Sequence, residues 1–208
     1  MTLADWLDRC PLIAILRGLR PEEAVAVGEA LVAEGIAVLE VPLNSPEPVE
    51  SIRRLAAALG DRALVGAGTV MTEAQVAEVA EAGGLLLVTP HADPALVRAA
   101  KARGMLACPG FFTPAEAFAL LAAGADALKL FPAEAASPAV VKALLAVLPK
   151  GTPLLPVGGM EAGTIPAWRA AGAAGFGVGG AIYRPGDPPG AVAAKARALV
   201  AALRATPG

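Results

Sequence analysis

Eight short apolar blocks recur along this chain, each followed by a turn and then by an Ala-rich segment with helical spacing. They are LIAIL (12–16), AVLEVPL (37–43), ALVGAG (63–68), LLLVTP (85–90), MLACPG (105–110), ALKLFP (127–132), LLPVGG (154–159) and GFGVGG (175–180). Runs this short, rich in Val, Leu and Ile, suit strands covered on both faces. The segments between them carry helix-end chemistry. PEEAVAVGEALVAEG opens on a proline and two acids and closes on Gly35. TEAQVAEVAEAGG starts at a capping Thr72 and stops at Gly83, and TPAEAFALLAAG offers Thr113 as cap, Pro114 in the first turn and Glu116 at the capping-box position. A last helix is predicted from about Pro189 to Ala205, and LADWLDR reads as one extra short helix at about 2–9.

Parallel strands alternating with helices require right-handed crossovers. Eight such units close into an α/β (β/α)8 TIM barrel, here over about residues 11–205 with a short N-terminal helix in front. The 208 residues then form a single domain. An open doubly wound sheet is the alternative, but its Gly-rich first turn, G-x-G-x-x-G, is missing after the first strand.

Composition removes several function classes. Seventeen basic and nineteen acidic residues give a net charge of −2 with no basic cluster, which argues against nucleic acid and anionic membrane as partners. No apolar run approaches the roughly 20 residues that span a bilayer, and MTLADWLDRC lacks signal-peptide character. A cytoplasmic protein is the expectation, with Cys10 and Cys108 as idle or buried thiols. The single histidine, His91, excludes sites built from several imidazoles; a solvated or helix-capping role is expected for it. No metal and no cofactor are expected. One Asn and one Gln beside 19 Pro fit adaptation to heat or a codon bias equally.

In barrels of this kind chemistry sits at the C-terminal ends of the strands. There the sequence places Arg17 after strand one, Glu40 within strand two and Asn44 at its end, and Thr69 after strand three. Strand four ends at Pro90, strand five at CPGF, and strand six holds Lys129; Pro90, Pro109 and Pro132 shape the rim. Strands seven and eight end in Gly-Gly pairs, 158–159 and 179–180. Lys129 and Glu40 are the charged residues embedded in predicted strands. Pointing inward, both reach the barrel mouth, where a Lys–Glu pair is tolerable although a lone charge is costly.

Burial disfavours ammonium and exposes the lone pair of the lysine, the condition for attack on a ketone. The resulting iminium accepts the electron pair released when an adjacent carbon–carbon bond breaks. A carboxyl at the mouth can move protons in both directions, and Glu40 is the candidate. The glycine pairs lie where phosphate sites recur in barrels, although tight turns alone would also use them. Arg17 either reaches solvent or grips a carboxylate with its fork. Trp6, Trp168 and Tyr183 read as packing residues, with Tyr183 near the second glycine pair.

This constellation resembles the class I aldolases that cleave 2-keto-3-deoxy-6-phosphogluconate (KDPG) and related 2-keto-4-hydroxy acids. The likeness covers about residues 11–184, in PLIAILRG, VLEVPLNSP, VGAGTV, LVTP, CPGF, LKLFPAE, VGG and GVGG. It implies Lys129 as the Schiff-base lysine, Glu40 as general acid/base, Thr69 as a ligand of the pyruvyl carboxylate and Gly158, Gly159, Gly179 and Gly180 as the phosphate pocket. Asn44, Pro90 and Phe131 fall among the substrate-binding positions. It also implies homotrimers and no metal.

One departure concerns the epimer. Gluconate-type enzymes often carry an arginine four residues after the strand-two glutamate, where this chain has Asn44. The combination of ILRG with PLNSP is similar to the galactonate type and implies that Arg17 holds the carboxylate, whereas FPAE looks more like the gluconate type. The remaining rivals are a 4-hydroxy-2-oxoglutarate aldolase, a sugar-phosphate isomerase or epimerase on the same barrel, and a non-catalytic sugar-phosphate-binding protein.

Overall fold

The computed structural model describes residues 1–205. Its strands are β1 (Leu12–Ile15), β2 (Val38–Pro42), β3 (Leu64–Gly68), β4 (Leu86–Val88), β5 in two pieces (Leu106–Cys108 and Gly110–Phe111), β6 (Leu128–Leu130), β7 (Leu154–Pro156) and β8 (Phe176–Val178). All pairings are parallel, and the first piece of β5, β4, β3, β2, β1 and β8 follow one another in a single sheet. The second piece of β5 continues it through β6 to β7. A bridge between Val157 and Gly177, with the Ala174 amide donating to the Leu154 carbonyl, joins β7 back to β8. The ring is therefore an eight-stranded barrel, as the periodicity predicts.

The break in β5 falls at Pro109, which has no N–H to give a neighbour. Its carbonyl still accepts from the Lys129 amide at 2.9 Å, so the ladder beside the lysine survives. The predicted blocks overrun the observed strands by one to three residues at their two ends, and the fifth stops one residue short of Phe111.

Helices α2 (Pro21–Ala33), α3 (Pro48–Leu59), α4 (Glu73–Glu81), α5 (Pro94–Lys101), α6 (Pro114–Ala122), α7 (Pro138–Leu145), α8 (Ile165–Ala170) and α9 (Pro189–Arg204) follow the strands in turn. Thr72 and Thr113 cap α4 and α6 as predicted, the latter in the expected box with Glu116 and the former in a box with Gln75 that was not expected. α1 (Leu3–Arg9) starts from a capping Thr2 and shows Leu3, Trp6 and Leu7 on one face. These three share a buried cluster with Ile13, Val38, Leu64, Leu86 and Leu155, so α1 plugs the N-terminal end of the barrel. The residues between them in sequence, such as Leu12, Leu39, Val65, Leu87 and Leu154, pack outward in the strand–helix layer. Among the described residues no helix is long and apolar enough to cross a membrane.

Candidate active site

The same alternation aims the two charged strand residues. On β2, Leu39 and Val41 belong to the outer layer and Val38 to the barrel interior, so Glu40 points inward. On β6, Leu128 and Leu130 face out while Ala127 faces in, so Lys129 points inward too. Three strands lie between β2 and β6 in either direction around the ring, which sets the two across the barrel from each other. Both line one open cavity of about 600 Å³ at the C-terminal mouth. They are 2% and 6% exposed.

Burial is the main influence on both. It pushes the Glu40 carboxyl up to about 7, against the pull of Lys129 and Arg17, which favour its charged form. Burial holds the Lys129 ammonium below its ordinary range, with Glu40 opposing and Arg17 assisting. Glu40 Oε2 is buried without a hydrogen-bond partner, an arrangement structural carboxylates avoid. The Lys129 Nζ lies 4.7 Å from the centroid of the Phe131 ring, two residues on and on the same face. Gly68 makes room for the carboxyl: a Cβ there would lie 1.9 Å from Glu40 Oε2. Beneath the pair sits Cys108, whose thiol burial pushes up to about 12.

Around this pair the strand ends deliver the remaining predicted residues. Arg17, Asn44, Thr69, Pro90, Phe131 and the glycines at 158, 159, 179 and 180 all line the same cavity. Arg17 Nη1 donates to Asn44 Oδ1 at 2.7 Å, and the Gly18 amide donates to Ser45 Oγ at 2.9 Å. The dipeptide Asn44–Ser45 thus ties the end of β1 to the end of β2. Thr69 holds a left-handed backbone at φ +57°, unfavourable for a β-branched residue and of the kind that clusters at functional sites. Gly158 and Gly159 also have positive φ, +113° and +65°.

The sequence model of the family "KDPG and KHG aldolase" matches residues 3–187. The chain belongs to that family. As a member of the KDPG and KHG aldolases it is a carbon–carbon lyase of the class I type. It is 46% identical to a probable 2-dehydro-3-deoxy-6-phosphogalactonate aldolase of Rhizobium meliloti (strain 1021), over 95% of this chain and 93% of the relative. A solved structure described as "Native KDPGal structure" superposes with a TM-score of 0.93 at 45% identity, covering 95% of this chain and 96% of that one. The KDPG aldolase of Legionella pneumophila, solved with pyruvate captured at low pH as a covalent carbinolamine intermediate, gives a TM-score of 0.83 at 27% identity, with 96% and 98% covered.

In this KDPG and KHG aldolase three charged side chains of the cavity were not singled out by sequence: Glu134, Glu161 and Arg184. Each stands two to four residues beyond a strand-end landmark (Pro132, Gly159 and Gly180), the signal that could have found them. Two expectations need correcting or sharpening. His91 is neither freely solvated nor a cap: it is half-buried with Nδ1 unpartnered, and Asp93 caps α5 through the Ala95 amide. Tyr183 packs as expected but also lines the cavity, and its hydroxyl donates to Glu23 Oε1 at 2.8 Å. Cys10 and Cys108 are buried free thiols, and Trp6 and Trp168 are buried packing residues.

Proposed function

We propose that this aldolase cleaves 2-dehydro-3-deoxy-6-phosphogalactonate to pyruvate and D-glyceraldehyde 3-phosphate, through a Schiff base on Lys129 with Glu40 as the proton shuttle. The observation that carries the reading is the inward amine of Lys129, with its ammonium form disfavoured, facing a buried, unpartnered carboxyl in one cavity. The neutral amine attacks the C2 ketone, and protonated Glu40 gives its proton to the departing hydroxyl as the iminium forms. The Glu40 carboxylate then takes the proton of the C4 hydroxyl while C3–C4 breaks, and that bond's electron pair moves into the iminium to give the enamine. Protonation at C3 and hydrolysis release pyruvate. A carboxyl titrating at about 7 has both forms available at neutral pH, which suits a group that must act as acid and as base.

Arg17, held by Asn44, takes the substrate carboxylate together with Thr69, and the two glycine pairs take the phosphate. The preference for the galactonate epimer rests on this Arg17–Asn44 arrangement and on the similarity to the Rhizobium and "KDPGal" proteins. The assembly we assign is a cytoplasmic homotrimer, supported by the buried free thiols and by large apolar side chains left exposed on the monomer.

Borohydride with pyruvate tests the chemistry: a permanent three-carbon adduct on Lys129 is expected by intact mass and peptide mapping. An unchanged mass while substrate turns over removes the imine, and with it this reading. A lactate dehydrogenase-coupled assay on the two epimeric phosphates decides the stereochemistry at C4.

A further inference from the structure

Three charged side chains stand at the end of the cavity lined by the two glycine pairs. Glu134 comes from the loop after β6, Glu161 from the loop after β7 and Arg184 from the loop after β8. The Glu134 carboxylate lies directly over the first glycine pair, since a Cβ on Gly158 would sit 1.9 Å from its Oε2. A phosphate dianion arriving there meets a like charge. The cation that the loop after β8 adds to the same cavity is Arg184.

The geometry points to Arg184 as the residue that distinguishes phosphorylated from unphosphorylated substrate. Its Nε donates to the Gly180 carbonyl at 3.3 Å, which fixes the base of the guanidinium on the glycine loop itself. Among the described residues its two Nη groups enter no ion pair, and the Gly180 and Ala181 amides of the same loop donate no backbone hydrogen bond. A planar fork and two unengaged amides on one loop supply donors of the kind that the three acceptor oxygens of a phosphate need. The neighbouring carboxylate does not compete for the fork, because Asp187 accepts from the Arg184 amide and is ion-paired with Lys195.

The loop that carries the arginine is held at both ends. Ile182 and Tyr183 donate back to the Gly179 carbonyl, the Tyr183 hydroxyl reaches Glu23 on α2, and Pro185 packs where a side chain on Gly18 would otherwise go. Arg184 is thereby carried on a tethered loop into the cavity that Glu134 and Glu161 also line. An anion at this end is repelled by the carboxylates and attracted to the β8 side.

The inference rests on the aldolase reading above, and the test separates the two. Arg184→Ala, Arg184→Lys and a surface control, Arg98→Ala, are assayed on the phosphorylated substrate and on its unphosphorylated counterpart, and inorganic phosphate binding is followed by ³¹P NMR. Arg184→Ala is expected to lower kcat/KM for the phosphorylated substrate by about 10- to 100-fold, the loss lying in KM, as for one charge-assisted fork. The unphosphorylated substrate stays within about twofold, Arg184→Lys recovers part of the loss, and Arg98→Ala changes nothing. Equal losses on both substrates, or none on the phosphorylated one, overturn the role. Should wild-type protein fail to cleave either phosphorylated epimer, the aldolase reading falls, while Arg184-dependent phosphate binding by NMR upholds the inference and phosphate binding unaffected by Arg184→Ala sinks it.

Discussion

Arg17 and Asn44, from the ends of neighbouring strands, are joined by a 2.7 Å hydrogen bond from guanidinium to side-chain carbonyl. Asn44 contributes no charge. It occupies one donor of the fork and aims the others into the cavity, a division of labour that a lone arginine on a long stem cannot provide.

Asn44→Ala should therefore raise KM for the 2-keto acid by about 3- to 10-fold with kcat nearly kept, and Arg17→Ala by about 30- to 100-fold. The double variant should be little worse than Arg17→Ala, because Asn44 acts through the arginine. Additive losses in steady-state kinetics remove the positioning role. An Arg17→Ala effect no larger than that of a surface arginine removes the carboxylate assignment.

Glu40 links activity to stability through pH. Its folded-state value, about 7, lies above the ordinary 4.5, so between these limits the folded protein holds a proton that the unfolded chain has released. The stability this provides is complete below about 4.5 and is lost as pH rises through 7. Glu40→Gln removes the titration. Its stability relative to wild type should climb between pH 5 and pH 8, reaching roughly 1–3 kcal/mol in denaturant melts. At the same time kcat should fall by about 10²- to 10⁴-fold. A stability difference independent of pH means the carboxyl is not desolvated in solution.

Much of this was legible in the sequence because barrel physics is periodic. Period-two alternation fixes the inward aim of Glu40 and Lys129 once their strands are recognised, and threonine caps announce α4 and α6. Strand ends are blurred by the residues that follow them, and Pro109, read from sequence only as a rim residue, marks the break in β5 through its missing N–H. The charged residues at the glycine-pair end of the cavity escaped notice for a different reason. Glu134, Glu161 and Arg184 lie in loops, where charge is the normal surface composition, and only three-dimensional convergence separates a pocket wall from a solvated face. The Tyr183–Glu23 bond spans 160 residues and has no local signature.

Phe112 and Phe118, 43% and 46% exposed, lie just before and within α6, an unusual cost to leave in water on a monomer. Covering them between copies of the chain is the expected solution. Light scattering should give about three times the 20.7 kDa chain mass, and Phe118→Glu should shift the distribution toward monomer with the far-UV circular dichroism unchanged. A monomeric wild type, or a Phe118→Glu protein that stays trimeric, removes this face from the interface.

Gly68 tests the seat of the carboxyl without touching a charged group. A Cβ at this position would lie 1.9, 2.4 and 2.5 Å from the three heavy atoms of the Glu40 carboxyl group, and Gly68 is paired in register with Pro42 on the glutamate's own strand. The strand cannot retreat without losing its ladder, so the carboxyl must leave its present seat. A displacement of about 1 Å at a reacting group costs on the order of 10²-fold in rate, and Gly68→Ala should lose that much kcat while Tm falls by only a few degrees. Gly190→Ala, on α9 and away from the cavity, is the matched control: nothing lies within 4 Å of its Cβ, so its fold and its activity should both be kept. Full activity in Gly68→Ala would show that Glu40 does not need the position this glycine leaves open for it.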